Sequence, residues 1–152
     1  MSGMVGRIAG LLPMDTLKVI SHSLIYSHIN YCCVVWGNAA LGDIRRLQIT
    51  LNKAARMLLR CGYEIGTVEL QNIMGWPTVC ECVRQQSLAL ITKIHVSNKP
   101  VSIRNRLTLV RDSHLFNTRS RHKDHYVLPK IKTIMGSRSF IFRVVKIWNS
   151  SR

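Results

Sequence analysis

Apolar positions in the first two thirds of the chain recur at helical spacing. Pro13 fits the first turn of a helix, where its missing N–H costs no bond, and Leu17, Ile20, Leu24 and Tyr31 then fall on one stripe, with Gly37 closing the segment. From Leu41 to Arg60, Ile44, Leu47, Leu51, Ala54, Ala55 and Leu58 line one face while Arg45, Gln48, Lys53 and Arg56 mostly occupy the others, and Gly62 is placed to stop the helix in the left-handed conformation. Thr67 is predicted to cap a short helix carrying Leu70, Ile73 and Met74, which Gly75-Trp76-Pro77 ends. Thr78 and Glu81 form a Thr-x-x-Glu capping box for a fourth helix, which runs to about Val96 with Val79, Val83, Leu90 and Ile94 inside.

Asn98-Lys99-Pro100 is a seam, because the residue before a proline is pushed away from helical geometry. Beyond it the period loosens. Arg106 to Val110 and Tyr126 to Lys132 read as extended, with Pro129 blocking a long helix, and His114 to His125 as a polar loop. Ser139 can cap a terminal helix in which Phe140, Val144, Ile147 and Trp148 share a face, although the β-branched and aromatic residues of 140–147 also suit a strand. The predicted fold is mainly α: a small helical bundle over residues 1–98, then a basic, partly extended segment over 99–152 that ends in a short helix.

Charge changes the picture most. The 152 residues carry 22 Lys and Arg against 7 Asp and Glu, a formal +15, while 47% are apolar, so the chain is foldable and its natural partner is a polyanion. Residues 101–152 hold twelve of those cations and two acids, a net +10. The acids are too few and too dispersed for a polymerase or nuclease site in which paired carboxylates hold two metal ions. The five cysteines, Cys32, Cys33, Cys61, Cys80 and Cys82, lie mostly in apolar helical stretches and read as buried free thiols. Ile8 to Leu12 is too short for a secretory signal, so the expected setting is intracellular, cytoplasmic or nuclear. The uncharged stretch from Val19 to Gly42 is long enough to span a bilayer, but its Ser, His and Asn residues favour a buried helix.

Metal, nucleophile and cofactor signatures are weak. On a helix Cys80-x-Cys82 sets its thiols about 200° apart and Cys32-Cys33 about 100°, which does not chelate one ion, and His114, His122 and His125 have no thiolate beside them. There is no Gly-x-Ser-x-Gly, glycine-rich phosphate loop or His-Glu-x-x-His. The expectation is no metal, no cofactor, no small-molecule substrate and no membrane partner.

Four segments carry a resemblance. SHINYCCVVWG (27–37) and LQITLNKAARMLLR (47–60), followed by HLFNTRSR (114–121) and LPKIKTIMGSRSFIFRVVKIWNS (128–150), resemble in order and spacing the region just downstream of the palm in non-LTR (LINE-type, jockey-like) retrotransposon reverse transcriptases. The likeness extends from about Leu11 to Ser150. It departs from the family at Trp148-Asn149-Ser150-Ser151-Arg152, where the family pattern is Trp-Asn-x-Leu-Pro, which implies truncation or a shifted frame at that end. The Ala-Asp-Asp carboxylates of the family's palm have no counterpart here. The resemblance therefore implies a fragment of an RNA-directed DNA polymerase without its catalytic core.

The candidate nucleic-acid-binding residues are Arg104, Arg106, Arg111, Arg119, Arg121, Lys123, Lys130, Lys132, Arg138, Arg143 and Lys146, interleaved with Phe116, Tyr126, Phe140, Phe142 and Trp148. Lys and Arg neutralise phosphates without reading sequence, so the predicted partner is RNA or DNA, bound non-specifically. The aromatic residues have two readings, stacking on unpaired bases or anchoring the terminal helix to the core. The rival reading of the whole chain is a non-catalytic helical interaction module that packs on the missing polymerase core or another protein.

Overall fold

The computed structural model describes Arg7, residues 10–113 and residues 124–151. It is mainly α, with no strand among the described residues. The helices are α1 (Met14–Ser21), continued by a π turn (His22–Tyr26) and α2 (Ser27–Asn30), then α3 (Cys33–Trp36), α4 (Leu41–Leu59), α5 (Thr67–Met74), α6 (Val79–Ser97), α7 (Val101–Arg104), α8 (Val110–Ser113), α9 (Ile134–Ser137) and α10 (Phe140–Ser151). The chain divides into two compact units, Met1–Val83 and Arg84–Arg152. The division falls inside α6, upstream of the Asn98-Lys99-Pro100 seam, at which α6 ends and the Lys99–Pro100 bond is cis. None of these helices is long and apolar enough to cross a membrane.

The first unit is built from helix faces. α4 buries Ile44, Leu51, Ala54, Ala55 and Leu58, as its period predicts, against a core that includes Leu17, Leu70, Met74, Trp76 and Val79. Its C-terminal stop is Arg60, at φ 52°, and Gly62 does not take the left-handed conformation there. Thr67 is the first residue of α5 and does not cap it; the cap position is Gly66, and the Thr67 hydroxyl instead accepts from Asn52 Nδ2 at 3.2 Å. Gly75, at φ 68°, ends α5. The Thr half of the capping box is formed: Thr78 Oγ1 accepts from the Glu81 N–H at 3.0 Å.

The first helical segment departs most from its predicted stripe. Leu17 is buried, but Leu24 is 41% exposed and Tyr31 76%, whereas Ser21, Tyr26 and Cys33 are inside. The cause is the π turn, in which the Ser27 N–H bonds to the His22 carbonyl five residues back. One extra residue per turn rotates everything downstream by about 100°, so the buried series runs 17, 21, 26. Cys32, at φ 50°, then breaks the helix and lets Cys33 turn inward.

The second unit packs Ile91 and Ile94 of α6 with Leu107, Leu109 and Tyr126 and with Val144, Val145 and Trp148 of α10. Residues 140–147 are helical, since Val144, Val145 and Trp148 then meet the core from adjacent turns. The two stretches predicted as extended meet only in a single antiparallel bridge, Leu109 to Tyr126, so they form no sheet. Hydrogen bonds hold Tyr126 in place: its N–H donates to Asn149 Oδ1 at 3.0 Å, and Asn149 Nδ2 donates to its carbonyl at 2.9 Å. Its hydroxyl lies 2.8 Å from His95 Nδ1, and Trp148 Nε1 donates to the Asp124 carbonyl at 2.6 Å.

Candidate nucleic-acid interface

Charge sorts between the two units more sharply than it does across the proline seam. Met1–Val83 carries seven Lys and Arg and five acids, a formal +2, whereas Arg84–Arg152 carries fifteen and two, a formal +13. The two acids of the second unit are Asp112 and Asp124, and both face Arg111: its Nε lies 3.7 Å from Asp112 and its Nη1 3.2 Å from Asp124. Both carboxylates of the second unit therefore lie against one cation, Arg111, in solvent-exposed pairs.

The predicted cations differ in what they are free to do. Arg104 is tied into the fold, donating from Nε to Asn98 Oδ1 at 3.0 Å and from Nη1 to the Leu107 carbonyl at 2.7 Å, which closes the turn after α7. Arg111 is the paired residue. Arg143 is half-buried in α10, with Nε and Nη1 out of contact with solvent. Arg106, Lys130, Lys132 and Lys146 are exposed and have no carboxylate partner among the described residues, and Arg138 is half-buried just after α9. Arg119, Arg121 and Lys123 lie outside the described residues, as does Phe116. Arg106 borders a cavity of about 370 Å³ with Ser102, Ile103, Ser139, Phe140 and Ile141.

The aromatic residues resolve toward anchoring. Tyr126 and Trp148 are almost wholly buried, 5.9 Å apart by ring centroids, and the His95 ring lies 5.1 Å from that of Trp148. Burial pushes the Tyr126 phenol above the usual tyrosine range. Neither ring can stack on a base without unpacking the core, and Phe140 and Phe142 are half-buried in α10.

Counting charge by linear segment missed Arg84, Lys93 and Lys99, which belong to the basic unit and are exposed or close to the seam. Lys93 and Lys99 border one shallow cavity with Leu90, Pro100 and Val101. Counting by compact unit would have found them. In the first unit the expectation of buried thiols holds for Cys33 and Cys82, whose sulfurs lie 3.9 Å apart, while Cys32 and Cys80 are exposed and Cys61 is half-buried. Among the described residues no group of three or more His, Cys, Asp or Glu side chains is placed to hold a metal ion.

The first unit holds an apolar groove of about 730 Å³ between the helical segment at 24–29 and α4, lined chiefly by Leu24, Ile25, Ile29, Leu47 and Met57. Compared with known proteins, the chain matches no family model, no curated protein and no solved structure.

Proposed function

We propose that this chain is a non-catalytic, nucleic-acid-binding fragment akin to the post-palm region of a non-LTR retrotransposon reverse transcriptase, and that it grips RNA or DNA backbones without sequence preference through its second unit. The observation that carries the reading is the exposure of Arg106, Lys130, Lys132 and Lys146, without a carboxylate partner among the described residues, in a unit of formal charge +13. Burial of Tyr126 and Trp148 supports backbone contact over base stacking as the source of affinity. The segmental likeness at 27–37, 47–60, 114–121 and 128–150 supports the polymerase kinship, and the absence of an Ala-Asp-Asp pair supports the lack of nucleotidyl transfer.

Fluorescence anisotropy with labelled single strands at two salt concentrations tests it. Log affinity should fall against log salt with a slope of about 0.7 per phosphate contacted, equally for unrelated sequences. Salt-insensitive binding, or none at low salt, overturns the reading.

The apolar groove of the first unit favours a second role for the same fragment, as a face that packs on a polymerase core. A Met57→Asp variant should then lower any self-association of the purified chain in gel filtration, because an exposed apolar face that has lost its partner is prone to pair with itself.

A further inference from the structure

Between Tyr126 and Ser151 the second unit exposes apolar side chains that its core does not use. Val127, Leu128 and Ile131 are 36%, 44% and 39% exposed, and at α9 the exposure peaks, with Ile134 at 75% and Met135 at 72%. Two adjacent large apolar residues at the tip of a turn are poorly placed for folding, since burial is what favours such side chains. The turn that carries them is nevertheless firmly built. Thr133 Oγ1 accepts from the Gly136 N–H at 3.0 Å, the Ser137 N–H bonds back to the Thr133 carbonyl at 3.2 Å, and Ser137 Oγ donates to the Ile134 carbonyl at 2.6 Å. Gly136 has no room for a side chain without pressing on Ile131 and Thr133, where a Cβ would come within 3.3 Å. Only Arg138 and Ser139 separate α9 from α10, whose Val144, Val145 and Trp148 lie in the core, so the turn stands at the start of a core-packed helix.

Cations surround that tip in sequence. Lys130 and Lys132 precede it and Arg138 follows it, and no Asp or Glu occurs after Asp124. A rigid apolar point flanked by cations matches a stacked base step between two phosphate strands. Ile, Met and similar side chains pry apart such steps in architectural DNA-binding proteins while Lys and Arg hold the flanking backbone. We infer that Ile134 and Met135 form a wedge that inserts into a base step of bound nucleic acid, with Lys130, Lys132 and Arg138 on the adjoining phosphates. This rests on the nucleic-acid reading above and adds to it a local deformation of the duplex. Flexible pyrimidine–purine steps are the ones that open at least cost, so they are the expected sites of insertion.

The test uses the full chain, a short DNA duplex with 2-aminopurine at a central TA step, and the double variant Ile134→Ser/Met135→Ser. Both residues are exposed, so the variant should fold with the circular dichroism spectrum of the parent. The parent should raise 2-aminopurine fluorescence severalfold on binding, because unstacking relieves quenching. The variant should bind with an affinity within about threefold of the parent, since phosphate contacts carry most of it, yet leave the fluorescence unchanged. Binding by the parent without a fluorescence rise, or a rise that the variant retains, overturns the wedge and leaves backbone binding standing. Failure of the parent to bind any strand or duplex at low salt overturns the functional reading together with the wedge. In a parallel sedimentation arm with phosphatidylserine vesicles, parent and variant should behave alike; uptake that depends on Ile134 and Met135, with no fluorescence rise on DNA, reassigns the tip to an anionic lipid surface and overturns the wedge.

Discussion

The two compact units solve the problem of burying apolar surface in different ways. Met1–Val83 does it by helix faces: α4 alone contributes Ile44, Leu51, Ala54, Ala55 and Leu58, and polar groups such as Gln48, Asn52 and Thr67 serve mainly to tie helix starts to α4. Gln48 Oε1 accepts from the Val79 N–H at 2.8 Å and its Nε2 donates to Asn52 Oδ1 at 2.8 Å, so one side chain links α4 to the first residue of α6. Arg84–Arg152 has fewer regular elements to draw on. It brings an irregular segment into its core and must satisfy that backbone with side chains, as Asn149 does for Tyr126 and as the Trp148 indole N–H does for the Asp124 carbonyl. The unit that depends on hydrogen-bonded pins is also the one carrying a formal +13. Self-repulsion of that magnitude favours expansion, and a bound polyanion relieves it, so ligand binding and stability should be linked in the second unit and largely independent in the first.

The largest effect is expected at Trp148. Its replacement by alanine removes a buried ring and its bond to the Asp124 carbonyl, and should destabilise the second unit by about 3–5 kcal/mol. Urea denaturation followed by near-ultraviolet circular dichroism should show that loss, and an unchanged midpoint would erase the distinction drawn between the pinned unit and the helical one. Next, reversing Lys130, Lys132 and Lys146 to Glu should cut nucleic-acid affinity by at least about tenfold at low salt and flatten its salt dependence, whereas reversing Arg45 and Arg46 in the first unit should leave both nearly unchanged. Equal effects in the two units would mean that net charge, and not its location, governs binding.

A smaller change is expected for Asn149→Ala, which leaves the Tyr126 N–H and carbonyl without their partner and should cost about 1–3 kcal/mol. Smallest is an alkaline effect shared by both units. Burial, reinforced at Tyr26 by the Cys82 and Cys33 thiols, raises the phenol pKa of Tyr26 and of Tyr126 above the usual value near 10.0. The unfolded chain loses these protons first, so the stabilisation from keeping both phenols neutral and buried is complete below pH about 10 and declines as pH rises beyond it. Denaturant midpoints measured across that range should fall in the parent and fall less in a Tyr26→Phe variant.

Much of the fold was legible because regular helices announce themselves by period. α4, α5, α6 and α10 stand where the apolar spacing and the Thr78 cap place them, and the terminal segment, open to a strand reading, is helical. The errors have local causes. A π turn leaves the apolar density of His22–Tyr26 unchanged, so nothing in the spacing signals that Tyr26 replaces Leu24 inside. Arg60 could take the left-handed stop because a strained residue is tolerated when the surrounding fold fixes it, which passes over the nearby Gly62. Charge at the candidate interface was legible as a sum and illegible as a distribution, since only the fold reveals that Arg111 lies against Asp112 and Asp124 and that Arg104 is occupied with Asn98 and Leu107. The exposure of Ile134 and Met135 could not be read at all, because on composition alone two such residues belong to a core.

The π turn also fixes how this stretch can vary in length. Removing one residue from His22–Tyr26 would let the backbone close into an uninterrupted α-helix, a locally favourable change, and would rotate Asn30 and Cys33 by about 100° away from Cys82, to which Cys33 Sγ and Asn30 Oδ1 now lie at 3.9 and 3.4 Å. A deletion that improves the helix would thus spoil its docking, so the same five positions act as a molecular ruler: the exposed His22, Ser23 and Leu24 can be exchanged more freely than their number can change.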